Sequence, residues 1–172
     1  EDQKSNLHLD PLELQALITP RTRAIMVVDY AGIRCNLRPI KDLCETHQLA
    51  LIEDAAQAFG APYVEAEESR YADFVCYSFH DTKNISCGEG GLLVVKDKSV
   101  ARQTEIIFEK GTNRKAFLHG QVDKYSWKNA GGSFILSDTN LLLLDYQLRI
   151  HDEIARDRQA AFKNYVDFFT SH

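Results

Sequence analysis

Two short, unbroken apolar runs set the limits on this fold. Ala24-Ile25-Met26-Val27-Val28 and Leu49-Ala50-Leu51-Ile52 are each too short to be a helix and too uniformly apolar to be a half-solvated strand. Between them Ile40, Leu43, Cys44 and His47 repeat at i, i+3, i+4 and i+7, which predicts a helix from about Pro39 to His47. Strand, helix, strand over so few residues is the rhythm of a parallel sheet with helices on its faces, with both runs buried. Phe74 to Phe79, rich in aromatic and β-branched residues, predicts a third strand, and Leu92 to Val95 a fourth. The turn Gly88-Glu89-Gly90-Gly91 is too short for a helical crossover, so the fourth strand is expected to run antiparallel to the third.

Helices punctuate the rest of the chain. Asp10, Pro11 and Glu13 have the spacing of a capped first turn, and Leu14, Leu17 and Ile18 follow as its apolar edge. Asp97 caps a helix expected to run to Lys110 and to stop at Gly111. Residues 111–133 read as a long loop, of the kind that is usually either functional or disordered. From Ser137 onward the pattern is helical, with Leu141, Leu144, Leu148, Ile154, Phe162, Tyr165 and Phe169 as an apolar stripe and a break near Ile150-His151-Asp152.

The 172 residues carry a formal charge of −5, with 44% apolar and 26% charged residues, which fits a globular domain and argues against binding nucleic acid through overall charge. Cys35, Cys44, Cys76 and Cys87 fall in no CxxC pair and have no histidine at zinc-finger spacing; they read as core thiols in a reducing compartment, with no metal site. No apolar run approaches a membrane span, and the N-terminal residues lack a signal-peptide core, so a cytoplasmic location is expected.

Ligands of open α/β sheets bind beyond the carboxyl ends of the strands. Asp29, Asp54 and Ser78 stand at three such ends, with Lys83 shortly after the last. Singly these are ordinary residues: Asp54 a cap, Ser78 a turn hydroxyl, Lys83 a solvated lysine, the glycine run a turn. Together, an amine, a carboxylate and a hydroxyl on one rim are the parts that pyridoxal 5′-phosphate (PLP) requires.

Three segments, taken together, carry a resemblance. Glu53-Asp54-Ala55-Ala56-Gln57-Ala58, Ser78-Phe79-His80-Asp81-Thr82-Lys83-Asn84 and Gly88-Glu89-Gly90-Gly91 resemble the signature of the DegT/DnrJ/EryC1/StrS family of PLP-dependent sugar aminotransferases. Residues 109–114 and 120–127 resemble the branch that aminates dTDP-4-keto-6-deoxyglucose for enterobacterial common antigen. The resemblance implies an α/β fold like the large domain of the aspartate-aminotransferase class: residues 1–136 as part of that PLP-binding domain, incomplete at its N-terminus, and 137–172 as a long helix leading toward a small domain beyond this chain. It implies Lys83 as the catalytic residue and PLP anchor, Asp54 on the pyridine nitrogen, Gln57 on the ring oxygen, and Ser78 and Ser133 on the phosphate. Ser133 stands where many members carry asparagine, and Asp29 where histidine is more usual. Sugar dehydratases of the same scaffold carry histidine in place of the lysine, so Lys83 favours transamination.

The loop holding Arg114, Lys115, Lys124 and Lys128 against Asp123 alone, with Tyr125 and Trp127, suits a diphosphate and a flat base, and equally reads as a solvated basic loop. In the family this region reaches into a homodimer partner's site. The expected reaction moves an amino group from an amino acid, glutamate in the first instance, to the C4 keto group of a dTDP-4-keto-6-deoxyhexose. Two rival readings share the sequence: a catalytically inert fragment or pseudoenzyme of the same fold, and a nucleotide-sugar binding module without chemistry.

Overall fold

The computed structural model describes residues 9–63 and 71–171; residues 1–8, read above as lacking a signal core, lie outside them. Four strands form one sheet in the order β1-β2-β3-β4: β1 (Ala24–Val28), β2 (Ala50–Asp54), β3 (Phe74–Ser78) and β4 (Gly91–Val95). β1, β2 and β3 are parallel, with Val28 level with Asp54 and Asp54 level with Cys76. β4 is antiparallel to β3, Ser78 facing Gly91, as the short connection requires.

Helix α1 (Pro11–Leu17) starts where Asp10 accepts a hydrogen bond from the Leu12 amide at 2.9 Å. α2 (Leu37–His47) starts two residues earlier than its apolar spacing indicates, because Asn36 takes the cap and accepts from the Arg38 amide. α3 (Lys98–Phe108) is capped by Asp97. α5 (Asp138–Arg149), capped by Ser137, and α6 (His151–Ser171) are separated at Ile150, the expected break.

The segment 111–133 is more ordered than a loop. It contains a short helix, α4 (Arg114–Leu118), and two bridges, Glu109 to Ser133 and Thr112 to Trp127. Buried Asn113 accounts for much of this: its amide group donates to the Lys124 carbonyl at 2.9 Å and accepts from the Ser126 amide at 2.7 Å. Gly111, with φ 74°, lies so close to Asn129 that a Cβ there would sit 1.8 Å from its carbonyl oxygen. Neither a side-chain clamp nor a close backbone approach leaves a periodic pattern, so the order was not foreseen.

The main core lies between one face of the sheet and α2. Ile25, Val27, Leu51 and Val75 pack there against Leu37, Ile40 and Cys44, with Leu14 and Ile18 at its edge. A second cluster of Phe79, Ile85 and Cys87 packs against Phe59, Leu136, Leu144 and Ile154, which attaches the α5–α6 segment. All four cysteines are free; Cys35, Cys44 and Cys87 are buried. Strands alternate their side chains between faces, so Met26, Val28, Ile52, Asp54, Cys76 and Ser78 belong to the opposite face. That face was expected to be covered, and among the described residues it is not: Met26 is 55% exposed and Val28 41%, and β4 is exposed at Leu92, Leu93 and Val94. An unbroken apolar run reports that two faces are meant to be buried, not what buries them. No described helix is long and apolar enough to cross a membrane.

Candidate active site

Beyond the carboxyl ends of β2 and β3 lies an open cavity of about 360 Å³. Gln57, Phe59, Ser78, Thr82 and Lys83 line it, with Ala31 at its edge. The tight turn after β3 brings Lys83 back over the strand end: its amide donates to the His80 carbonyl, and the Asp81 amide donates to the Gly88 carbonyl. Ser78 Oγ accepts from the His80 amide at 3.3 Å, which leaves its own proton to point elsewhere. Gln57 Oε1 accepts from the Ala31 amide at 2.8 Å, so its NH₂ group is the end left to donate. That bond holds Ala31 in a left-handed conformation (φ 55°), which costs a non-glycine residue about 1 kcal/mol or more and marks a position fixed by its surroundings.

Asp54, the last residue of β2, is not part of the cavity lining. It occupies the same face of the sheet as Ser78, level with Cys76, and its Oδ1 accepts from the Ala56 amide at 3.0 Å. The carboxylate raises the Cys76 thiol above its ordinary range, second to burial. Asp54 and Ser78 are thus brought to one side of the sheet, and Gln57, Ser78 and Lys83 to one cavity.

Asp29 is not a rim residue. It is fully buried on the other face, where Arg34 Nη1 bridges Asp29 Oδ2 and Glu53 Oε1, each at 2.8 Å. The guanidinium also donates to the Ala58 and Ala61 carbonyls and sits 4.0 Å from the centre of the Tyr63 ring, whose hydroxyl reaches Glu53 Oε2 at 3.3 Å. One cation thus faces two buried carboxylates. Burial first, then the hydrogen bond and charge of Asp29, push the Glu53 carboxyl up to about 7. The same burial, with Asp29 and Glu53 adding, pushes the Cys35 thiol up to about 11. Sequence reasoning missed this network, and the only signal was three charged residues inside or beside core runs. Its effect on the site is indirect: Arg34 pins the turn 58–61, which follows Gln57 and includes Phe59.

The other expected contacts lie elsewhere. Ser133 is bridged to Glu109 at the end of α3. Arg114 pairs with Glu109 at 3.3 Å, and Lys124, Tyr125 and Trp127 are exposed, Trp127 at 73%. None of these five lines the Lys83 cavity.

The sequence profile of the DegT/DnrJ/EryC1/StrS aminotransferase family matches residues 2–171. The chain belongs to that family. Its members work with pyridoxal phosphate. SpsC, a spore coat polysaccharide biosynthesis protein of Bacillus subtilis, is 28% identical over 169 residues, covering 96% of this chain and 43% of its own length. The UDP-4-amino-4,6-dideoxy-N-acetyl-β-L-altrosamine transaminase of Helicobacter pylori is 30% identical over 166 residues, with the same two coverages. The structure of DesI in the presence of its TDP-sugar product superposes with a TM-score of 0.76 at 27% identity, covering 92% of this chain and 38% of that one. The chain therefore spans less than half the length of the relatives it matches.

Proposed function

We propose that the protein to which these residues belong is a PLP-dependent nucleotide-sugar aminotransferase. It would pass an amino group from an amino acid, with glutamate as the first candidate, to the C4 keto group of a dTDP-4-keto-6-deoxyhexose. The observation that carries the reading is the convergence of Lys83, Ser78 and Gln57 on one cavity, with Asp54 on the same side of the sheet as Ser78. Sugar transamination is supported by family membership. The dTDP preference rests on residues 109–114 and 120–127, and DesI with its TDP-sugar product is compatible with it, whereas the Helicobacter relative is named for a UDP-sugar.

The donor set fits the cofactor. A lysine amine, a carboxylate with one oxygen uncommitted, a hydroxyl with a free proton and an amide with a free NH₂ are what an aldehyde, a pyridine nitrogen, a phosphate and a ring oxygen require. When bound, PLP supplies an electron sink for the bond-breaking at the amino acid's Cα. Lys83 Nζ would anchor the cofactor's carbonyl carbon and then carry a proton to and from the substrate carbon. Asp54 Oδ2 would hold the proton on the pyridine nitrogen, since an adjacent carboxylate favours the charged form of a base. Ser78 Oγ would donate to the phosphate, and Gln57 Nε2 to the ring oxygen.

Ser133, Arg114, Lys124, Tyr125 and Trp127 lie outside this cavity, and their exposure supports the reading that they serve the partner's site in a homodimer. On the same reading, 1–136 is part of the PLP-binding domain, 137–172 leads toward a small domain, and the enzyme is cytoplasmic.

The test is borohydride reduction of the full-length protein with PLP, followed by peptide mapping. The cofactor should be found fixed on Lys83. Absence of label would favour an inert relative, and dTDP-sugar binding indifferent to Lys83→Ala with no label would favour a binding module.

A further inference from the structure

A second cavity, of about 270 Å³, adjoins the Lys83 cavity and shares Ala31, Gln57, Phe59 and Asn84 with it. Phe59 divides the two: its ring meets Tyr77, Phe79 and His151 edge-on at 5.3–5.8 Å. The far wall is α6. His151, Ile154, Ala155 and Arg158 fall at i, i+3, i+4 and i+7, so one helical face supplies an imidazole, an apolar floor and a guanidinium, with Gln159 beside them.

Among the described residues no aspartate or glutamate lines it, the nearest described carboxylate partner of a lining residue being Asp152, 3.3 Å from His151 Nδ1, and Arg158 makes no hydrogen bond or ion pair with any described residue. Arg34, Arg114 and Arg149, by contrast, each have a carboxylate within 3.3 Å. A planar guanidinium with no partner among the described residues, in the wall of a cavity that adjoins the Lys83 cavity, is matched to a carboxylate or a phosphate.

We infer that this second cavity is an anion subsite, in which Arg158, aided by Gln159 and His151, holds the charged group of a substrate whose reacting end lies in the Lys83 cavity. The inference deepens the aminotransferase reading and rests on it for the identity of the substrate. A carboxylate of the amino donor and the diphosphate of the nucleotide sugar present the same chemistry to a guanidinium, so two probes separate them.

The experiment is calorimetric titration of the full-length protein, without PLP, with glutarate and with inorganic pyrophosphate. The parent protein should bind one of the two, and Arg158→Ala should weaken that binding about ten- to a hundredfold, the loss expected for one charge-assisted pair. Arg158→Lys should recover part of the affinity. A preference for glutarate assigns the subsite to the amino donor, and a preference for pyrophosphate assigns it to the nucleotide. Because Arg158 is exposed and has no partner among the described residues, Arg158→Ala should melt with the parent; if it does not, Arg158→Gln replaces it. Equal binding by parent and variant, or no binding of either anion by the parent, overturns the inference. Loss of borohydride labelling at Lys83 would overturn the aminotransferase reading and leave this titration unaffected.

Discussion

Glu53 and Asp54 are neighbours on β2 and belong to different worlds. Glu53 faces the α2 side, where it is fully buried and bound to Arg34 and Tyr63. Asp54 faces the open side, where it is half-buried and keeps an oxygen uncommitted. On the covered face every polar group is answered by another: Asp29, Arg34, Glu53 and the carbonyls of Ala58 and Ala61 close a network, and no described buried side-chain nitrogen or oxygen lacks a partner. On the open face Asp54, Ser78, Gln57 and Lys83 retain unspent hydrogen-bonding capacity. Saturated polar groups hold a fold together, whereas unsaturated ones in a cavity are available to a ligand.

Mutations on the two faces should therefore fail in different assays. The largest effect is expected from Lys83→Ala, which should abolish transamination and borohydride labelling of the full-length protein while moving the unfolding midpoint little, because Lys83 is half-exposed. A large drop in melting temperature would erase the distinction between the faces. Next, Arg34→Met leaves two carboxylates buried without their cation, and urea unfolding should show a loss of about 3–5 kcal/mol.

Asp54→Asn should reduce turnover by about a hundredfold or more, the range for losing a group that controls a proton. It should change stability by less than about 1 kcal/mol, so equal losses of stability in Asp54→Asn and Glu53→Gln would break the comparison.

The smallest effect is a slope. Glu53 titrates near 7 in the fold against an ordinary value of 4.5, so across that interval the folded chain holds a proton that the unfolded chain has released. Stability contributed by Glu53 is present at acid pH and falls as pH rises toward 7. Glu53→Gln should flatten that part of the stability–pH curve, and an unchanged curve would mean that the proton resides elsewhere in the network.

How much of this was legible follows the same division. Strand and helix positions were readable because periodicity and capping are local: Asp10 and Asp97 cap where their spacing indicates, and the antiparallel turn before β4 follows from the length of its connection. Ser78 and Lys83 could be named because strand ends converge in parallel sheets, and Gln57 through the family resemblance. The different fates of Glu53 and Asp54 could not be read, since both follow the same apolar run and only the packing of α2 decides between them. Asp29 was misplaced at the rim for the same reason: its partner Arg34 lies five residues away in a turn that no pattern marks. The order within 111–133 escaped because it depends on Asn113 and Gly111, two single residues.

The junction between α6 and the sheet has a consequence for how such a site could diverge. His151 abuts Gly60 so closely that a Cβ there would lie 2.6 Å from its Nε2. Gly60 also has φ 79°, so any larger residue at position 60 would be strained and would turn the His151 ring aside, reshaping the wall of the second cavity that both residues line. Bulk at that one wall position would thereby change the size of molecule the cavity admits.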